Sequence, residues 1–368
     1  MQAVVLVGGQ GTRLRPITYD IPKALVPLRN RPFMGYMLDF LRGGGLDGAV
    51  LSLGYLPDPI QEYLGDKQEL DGFSVDYAVE NRTLGTAGGI KNAERYLDGD
   101  TFVVVNGDVL TGMDLRKAIE LHKASDALAT ITLTSVEDPT AYGLVEVDHD
   151  MVVRRFIEKP AADEVTTNLV NAGVYVIEPE VLAMIPPDRE VSIEREVFPD
   201  LQAGGRLRAH VTSSYWRDIG TPRSYLAASH DVLSGAVGGA GYDFEYLDVD
   251  ASVELGKNVK LLPPVSVGGA CDVSHLATIG GRSALGRGCR VGEGAVVEGS
   301  ILLDGAEVEA GAVVRGSIIG PRARVGNAAI IRGLSVLGAG CVVGEGNVLD
   351  QGIRVNPDVV ISPRSLRF

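Results

Sequence analysis

The stretch Ile279-Gly280-Gly281-Arg282-Ser283-Ala284-Leu285-Gly286-Arg287-Gly288-Cys289-Arg290-Val291-Gly292 carries a branched aliphatic residue at every sixth position. Val297 and Leu303 continue the run. Ile319, Val325, Ile331, Leu337, Val343, Leu349, Val355 and Ile361 form a second run at the same spacing. A period of six fits neither the 3.6 of a helix nor the 2 of an alternating strand. It is the hexapeptide pattern of a parallel β-helix. Each hexad then forms one flat side of a triangular coil, with its aliphatic residue on the axis. Glycine is expected at the corners, where positive φ is cheap without a Cβ. The step from Leu303 to Ile319 breaks the phase, so an insertion or a tight corner is expected there. The markers predict about five or six coils between Val253 and Ile361.

Working outward, 20 of the 47 glycines fall within Val265–Gly352, so the composition changes along the chain. The 368 residues imply roughly two domains. With 45% apolar and 22% charged residues, the chain can bury a sizeable core and is not a disordered polymer. The formal charge of −14 argues against general nucleic-acid binding, although local cations or a metal leave an anionic substrate open. Three cysteines exclude a disulfide scaffold and fit a reducing cytoplasm. No apolar run approaches the ~18 residues of a membrane span. Met1–Val7 lacks the basic flank of a signal peptide. The five histidines are scattered without metal spacing, no Cys-x-x-Cys pair exists, and all three cysteines read as small core residues.

The first ~230 residues alternate short apolar runs with helix-like segments. Ala3–Val7, Ala49–Leu53, Phe73–Val79 and Thr101–Val105 read as strands, and Pro32–Arg42, Pro59–Leu64 and Thr86–Leu97 as helices. This predicts a Rossmann-like, mixed, mostly parallel sheet with helices on both faces. Ala127–Leu133, Leu144–Val147, Val152–Ile157 and Ala172–Ile177 add a β-rich group, and Tyr225–Leu233 reads as a closing helix. The expected domains are residues 1–233, a glycine-rich linker over 234–250, and the β-helix over 251–368.

The first strand runs into Gly8-Gly9-Gln10-Gly11-Thr12-Arg13-Leu14-Arg15-Pro16. Strand, glycine loop and helix start form the place where α/β folds bind phosphates. A P-loop would need Gly-Lys-Ser/Thr, which is absent, and a dinucleotide fingerprint would need glycine where Leu14 stands. The continuation is more telling. Arg13 supplies a planar fork for phosphate oxygens, and Lys23, in Pro22-Lys23-Ala24-Leu25, adds a compact charge.

These two segments together resemble the signature of the sugar-1-phosphate nucleotidylyltransferases, and the resemblance spans nearly the whole chain, many members carrying a left-handed β-helix. Leu84-Gly85-Thr86-Ala87-Gly88-Gly89 resembles the family's base-facing loop. Asn106-Gly107-Asp108 and Trp216-Arg217-Asp218 resemble its metal-binding segments. Tyr142-Gly143, Glu158-Lys159-Pro160 and Asn171-Ala172-Gly173-Val174-Tyr175 resemble its sugar pocket. Ser192-Ile193-Glu194-Arg195-Glu196-Val197-Phe198-Pro199 is similar to a string of the mannose-1-phosphate guanylyltransferases, the branch favoured here.

The resemblance implies that a sugar 1-phosphate oxygen attacks the α-phosphorus of a nucleoside triphosphate, GTP being favoured, and that GDP-mannose and pyrophosphate result. Asp108 and Asp218 would bind Mg²⁺. Arg13 would hold the β and γ phosphates, Lys23 would sit near the α-phosphate, and Lys159 would hold the sugar phosphate. Leu6, Gly8, Gly9, Gly11, Thr12, Gly85, Thr86 and Gly88 would line the nucleotide. Tyr142, Gly143, Glu158, Asn171 and Gly173 would line the sugar, with Glu158 and Asn171 bonded to its hydroxyls. Trp216 reads as a wedge supporting the Asp218 loop rather than a stacking platform. No nucleic-acid or membrane partner is implied, and the β-helix predicts a homo-oligomer. The alternatives are a thymidylyl-, adenylyl- or uridylyltransferase, a pseudosugar-phosphate enzyme, a non-catalytic regulatory subunit, or a β-helix acyltransferase.

Overall fold

The computed structural model describes residues 1–65, 69–70, 72–238 and 245–367. They divide into two compact units. The first holds Met1–Gln10 and Tyr36–Trp216. The second holds Gly11–Gly35, Arg217–Gly238 and the described residues from 245 onward. Within the expected linker, residues 239–244 lie outside the described residues.

The first unit is built on a ten-stranded sheet. Its spatial order runs Val153–Glu158, Gly143–Val147, Leu169–Ile177, Phe102–Asn106, Gln2–Val7, Gly48–Leu53, Phe73–Val79 and Glu69–Leu70. Ala129–Ser135 and Leu207–Val211 branch from Leu169–Ile177. The four strands from Phe102–Asn106 to Phe73–Val79 pair in parallel. Leu169–Ile177 pairs antiparallel with Phe102–Asn106, which makes the sheet mixed. Gly48–Leu53 is buried along its whole length, as a central parallel strand must be. Val4, Val50, Val104, Tyr175 and Phe198 meet in the core of this unit.

The expected strands and helices are present, most of them within about two residues of their predicted ends, inside the usual boundary scatter. The Thr86–Leu97 helix ends early, at Ala93, and tightens into a 3₁₀ turn over Glu94–Tyr96. Leu115–Lys123 was not expected. Its N-cap is Asp114, whose side chain accepts from the Lys117 amide at 3.2 Å. That helix buries His122, whose two ring nitrogens lie 2.8 Å from Thr130 Oγ1 and 2.9 Å from Glu178 Oε1.

In the second unit, residues 247–361 form three all-parallel sheets of seven, seven and six strands, the architecture of a left-handed β-helix. Over Val253–Ile361 the three sheets hold seven, six and six strands, about six coils, as the hexads imply. The phase break has a specific form. Ile279 pairs with Val297, but Leu285 pairs with Leu302 and Leu302 with Ile319, each 17 residues on. Two sides are therefore one residue short, and neither an insertion nor a single corner explains the slip. Leu302 joins the axial core, displacing the expected Leu303. The glycines that follow the axial residues also have a different role from the expected one. Gly286 and Gly292 do not have positive φ. A Cβ on Gly292 would lie 2.5 Å from the Ala310 backbone nitrogen of the next coil. Glycine is needed there for close stacking. Glycine does take corners at positive φ, as at Gly288, Gly294, Gly305 and Gly311, while others such as Ala328 and Leu334 adopt it without glycine.

Among the described residues, no helix is long and apolar enough to cross a membrane.

Candidate functional site

In the first unit the glycine loop leaves the sheet between two neighbours that press against it. Gly107 donates its N–H to the Leu6 carbonyl at 2.9 Å, and a Cβ at Gly107 would stand 2.5 Å from that oxygen. Only glycine lets Asn106-Gly107-Asp108 close this tightly on the loop, which sets half-buried Asp108 beside the end of the first strand. On the other side, a Cβ at Gly54 would lie 2.7 Å from the Gly8 carbonyl. Glu80 sits at the same loop. It accepts from Ser52 Oγ at 2.8 Å and from the Leu84 N–H at 3.2 Å, and its Oε1 would be 3.0 Å from a Cβ on Gly8.

The helix Gly85–Ala93 is locked to the segment 189–194. Gly85 has φ 70°, and a Cβ there would meet the Val191 carbonyl at 2.6 Å. Gly88 is equally constrained by the Arg189 carbonyl at 2.8 Å. Val191 exchanges backbone bonds with Leu84 and Ala87. Thr86 Oγ1 donates to Glu194 Oε2 at 2.8 Å and accepts from the Ile193 N–H at 2.8 Å. Its hydroxyl thus fastens the loop internally.

The expected sugar-pocket residues share one edge of the sheet. Gly143 pairs with Glu158 across adjacent strands, and a Cβ at Gly143 would lie 3.1 Å from Glu158 Oε2. Lys159 N donates to the Tyr142 carbonyl at 3.0 Å. Lys159 has φ 54°, a strained conformation for a non-glycine residue, of the kind concentrated at functional sites. Asn171 donates to Tyr175 Oη at 2.7 Å and accepts from the Gly173 N–H at 2.9 Å. Trp216 donates its indole N–H to the Ala172 carbonyl at 2.8 Å and meets Tyr142 edge-on, with centroids 5.3 Å apart. Both contacts fix its ring within the first unit. Burial, reinforced by the charge of Glu194, holds the Glu158 carboxyl above the usual range, while Lys159 and Arg195 oppose the shift.

The second unit holds the rest of the loop. Gly11 has φ 61°. A Cβ there would meet Thr18 Cγ2 at 3.0 Å and Lys23 Cβ at 3.3 Å, so glycine lets the Lys23 turn pack against the loop. Thr18 Oγ1 closes the curve on the Gly11 carbonyl at 2.7 Å. The turn Thr12–Leu14 buries Leu14 and leaves Arg13 exposed. Arg13 and Asp218 converge. A Cβ at Gly220 would stand 2.7 Å from Asp218 Oδ2 and 2.9 Å from Arg13 Nη2. The Gly220 N–H donates to Asp218 Oδ2 at 3.0 Å. Arg15 is stacked on Tyr19 at 4.7 Å.

The expected residues therefore assemble as two sets. Leu6, Gly8, Gly9, Gly85, Thr86, Gly88, Asp108, Tyr142, Gly143, Glu158, Lys159, Asn171 and Gly173 belong to the first unit. Gly11, Thr12, Arg13, Lys23 and Asp218 belong to the second. Glu80, Asn106, Tyr175 and Glu194 are the residues that motif reading missed as site members. Asn106, Tyr175 and Glu194 lie inside motifs, but the contacts of Glu194 with Thr86 and Tyr175 cannot be read from spacing.

In the first unit Asp108 offers a carboxylate, and the buried Asn106 Oδ1, two residues away, has no hydrogen-bond partner among the described residues. In the second unit Asp218 offers another carboxylate. No group of three or more His, Cys, Asp or Glu side chains among those residues could cage a metal. One or two carboxylates completed by phosphate and water oxygens are what Mg²⁺ takes.

The chain matches the Nucleotidyl transferase family over residues 2–235 and the GMPPB C-terminal domain over residues 261–365. It is 38% identical over 310 residues to the mannose-1-phosphate guanylyltransferase of Mycobacterium tuberculosis, covering 83% of this chain and 80% of that protein. It is 33% identical to a UTP–glucose-1-phosphate uridylyltransferase of Synechocystis, covering 83% of each. Among solved structures, HddC from Yersinia pseudotuberculosis complexed with GMP-PN superposes with a TM-score of 0.53 at 32% identity, covering 62% of this chain and 98% of that one.

Proposed function

From the premise that the chain belongs to the nucleotidyl transferase family, we propose that it makes GDP-mannose and pyrophosphate from GTP and mannose 1-phosphate. The observation that carries the reading is the bond from Thr86 to Glu194. It fastens the string Ser192–Pro199, the feature that singles out the mannose-1-phosphate guanylyltransferases, to the helix expected to face the base.

The chemistry needs no protein nucleophile. An oxygen of the sugar phosphate forms a bond to the α-phosphorus in line as the bond to the β-phosphate oxygen breaks. Pyrophosphate leaves with that electron pair. Both reactants are anions, so catalysis consists of positioning and charge stabilisation. Arg13 binds the departing β and γ phosphates, Lys23 the α-phosphate, and Lys159 the attacking phosphate. Glu158 and Asn171 orient the sugar hydroxyls. Gly8, Gly9 and the helix opening at Gly85 let backbone approach the base. Asp108 and Asp218 are the carboxylates that would hold Mg²⁺, which would supply charge withdrawal from the reacting phosphate oxygens.

The catalytic region is assigned to residues 1–233, a linker to 234–250 and the β-helix to 251–368. The β-helix joins copies of the chain into a homo-oligomer, and the reaction runs in the cytoplasm. The uridylyltransferase similarity motivates a second reading with UTP and glucose 1-phosphate. One experiment separates the two. Pyrophosphate release is measured for five nucleoside triphosphates against mannose, glucose and N-acetylglucosamine 1-phosphates, with and without EDTA. GTP with mannose 1-phosphate is expected to be fastest, and EDTA to abolish release. A faster pair overturns the substrate assignment, and EDTA-resistant turnover overturns the metal.

A further inference from the structure

We propose that Arg354, on the solenoid, is a positioning residue for the nucleotide loop and acts through Arg13. Arg354 opens the last strand of the seven-stranded sheet that begins at Leu247–Val249. Its Nη1 donates to the Arg13 carbonyl at 3.0 Å and to the Arg15 carbonyl at 3.1 Å. Those carbonyls flank Leu14, which is fully buried. The backbone carrying the Arg13 side chain is thereby held by an apolar anchor on one side and a guanidinium on the other. Bonds from a charged donor are about twice as strong as neutral ones.

The same sheet grips the other end of the segment Gly11–Gly35. Arg29 Nε bonds Asp248 Oδ2 at 3.1 Å, Asn30 Nδ2 donates to Ser266 Oγ at 3.0 Å, and Ser266 Oγ donates to Asp248 Oδ2 at 3.0 Å. Asp248 and Ser266 lie on the first two strands of the sheet, and Arg354 lies on its last. The solenoid face is therefore a rail to which the segment is fixed at both ends. Exposed Arg354 has no place in the axial core, so its bonds to the loop are not a by-product of packing the coil.

This inference rests on the reading that Arg13 binds the β and γ phosphates. A loop that loses its guanidinium should then grip GTP less well and GMP unchanged, since GMP lacks those phosphates. The test measures Kd for GTP and for GMP by calorimetry, on the full chain, for Arg354→Ala, Arg354→Lys, Arg13→Ala and the double variant Arg13→Ala/Arg354→Ala. Arg354→Ala is expected to weaken GTP about 10-fold, the size of one or two charge-assisted bonds, and GMP by less than about 2-fold. Arg354→Lys, which keeps a cationic donor, should recover part of the loss. In the Arg13→Ala background, Arg354→Ala should add nothing. Equal weakening of both nucleotides, no weakening of GTP, or an undiminished effect without Arg13 would each overturn the proposal. If Arg13→Ala itself leaves GTP affinity intact, the reading of Arg13 fails first and takes this inference with it. Thermal melting guards against a trivial cause. Should the alanine variant melt early, the GTP-to-GMP comparison is made on Arg354→Lys, where a loss specific to GTP supports the proposal and an equal loss refutes it.

Discussion

Thr86 and Glu194, 108 residues apart in sequence, meet at 2.8 Å. Glu194 also accepts from Ser192 Oγ at 2.8 Å, and Tyr175 Oη lies 3.5 Å from its other oxygen. Asn171 reaches the same Tyr175 hydroxyl. One carboxylate thus ties the helix at Gly85 to the strand that carries the expected sugar contacts. Thr86→Val removes the donor and leaves the shape. It is expected to lower kcat/KM for GTP by about 10-fold, in line with ~1.5–3 kcal/mol for a bond to a charged group. Steady-state kinetics check this, and an unchanged kcat/KM would show that the link is ornamental.

Asp108→Asn and Asp218→Asn each keep the volume and remove the charge. Each is expected to cut turnover by about 100-fold or more, the scale seen when a charge-stabilising group is deleted. The circular-dichroism spectrum should stay native. Full activity in either variant would remove that carboxylate from the metal.

Gly107→Ala places a methyl 2.4 Å from Val7 Cγ1 and 2.5 Å from the Leu6 carbonyl. The backbone must yield, at ~1–3 kcal/mol or more. Both a lower melting temperature and a loss of kcat are expected, because the shift moves Asp108. Melting curves and single-turnover assays read the two effects separately. Unaltered values would mean the turn has slack that the geometry does not display.

The Glu158 carboxyl titrates higher than an ordinary glutamate, because it is half-buried and feels the charge of Glu194. Its charged form is the better acceptor for sugar hydroxyls. On acidification, KM for the sugar phosphate should therefore begin to rise at a higher pH than an ordinary glutamate would dictate. Stability runs the other way. With the folded value raised, the contribution is complete below the unfolded glutamate value and is lost as pH rises through the folded one. Glu158→Gln should raise KM overall and flatten its pH dependence relative to the parent, the substrate's own ionisation being common to both. A parallel pH profile in the glutamine variant would exclude Glu158 as the source.

Ile331 lies fully buried on the solenoid axis. Ile331→Ala is expected to destabilise by ~2–5 kcal/mol, read by denaturant unfolding, as a cavity flanked by stacked neighbours cannot collapse. A loss below ~1 kcal/mol would mean that the coils rearrange freely.

The periodic parts of the molecule were legible in the sequence because one physical requirement repeats. Every sixth side chain must fill the same axis, and every parallel strand must be apolar on both faces. The short sides before Leu302 and Ile319 escaped because a coil that loses one residue keeps aliphatic residues at both Leu302 and Leu303, and composition cannot choose between them. Arg13, Lys23 and Asp108 stood out by the company they keep in short motifs. Glu80 and Arg354 sit in no motif. Their relevance comes from neighbours in space, such as the carbonyls that Arg354 reaches across 341 and 339 positions. The helix Leu115–Lys123 was missed because its polar outer face hides the apolar stripe of Leu115, Ala118 and buried His122.

That reach from Arg354 to Arg13 has a consequence for biosynthesis. The loop cannot acquire its supporting guanidinium until the 341 positions that separate Arg13 from Arg354 have been translated. Contacts that close so long a span form slowly. The sheet of the first unit can begin to fold before then, but the loop's support arrives only with the solenoid turn that carries Arg354.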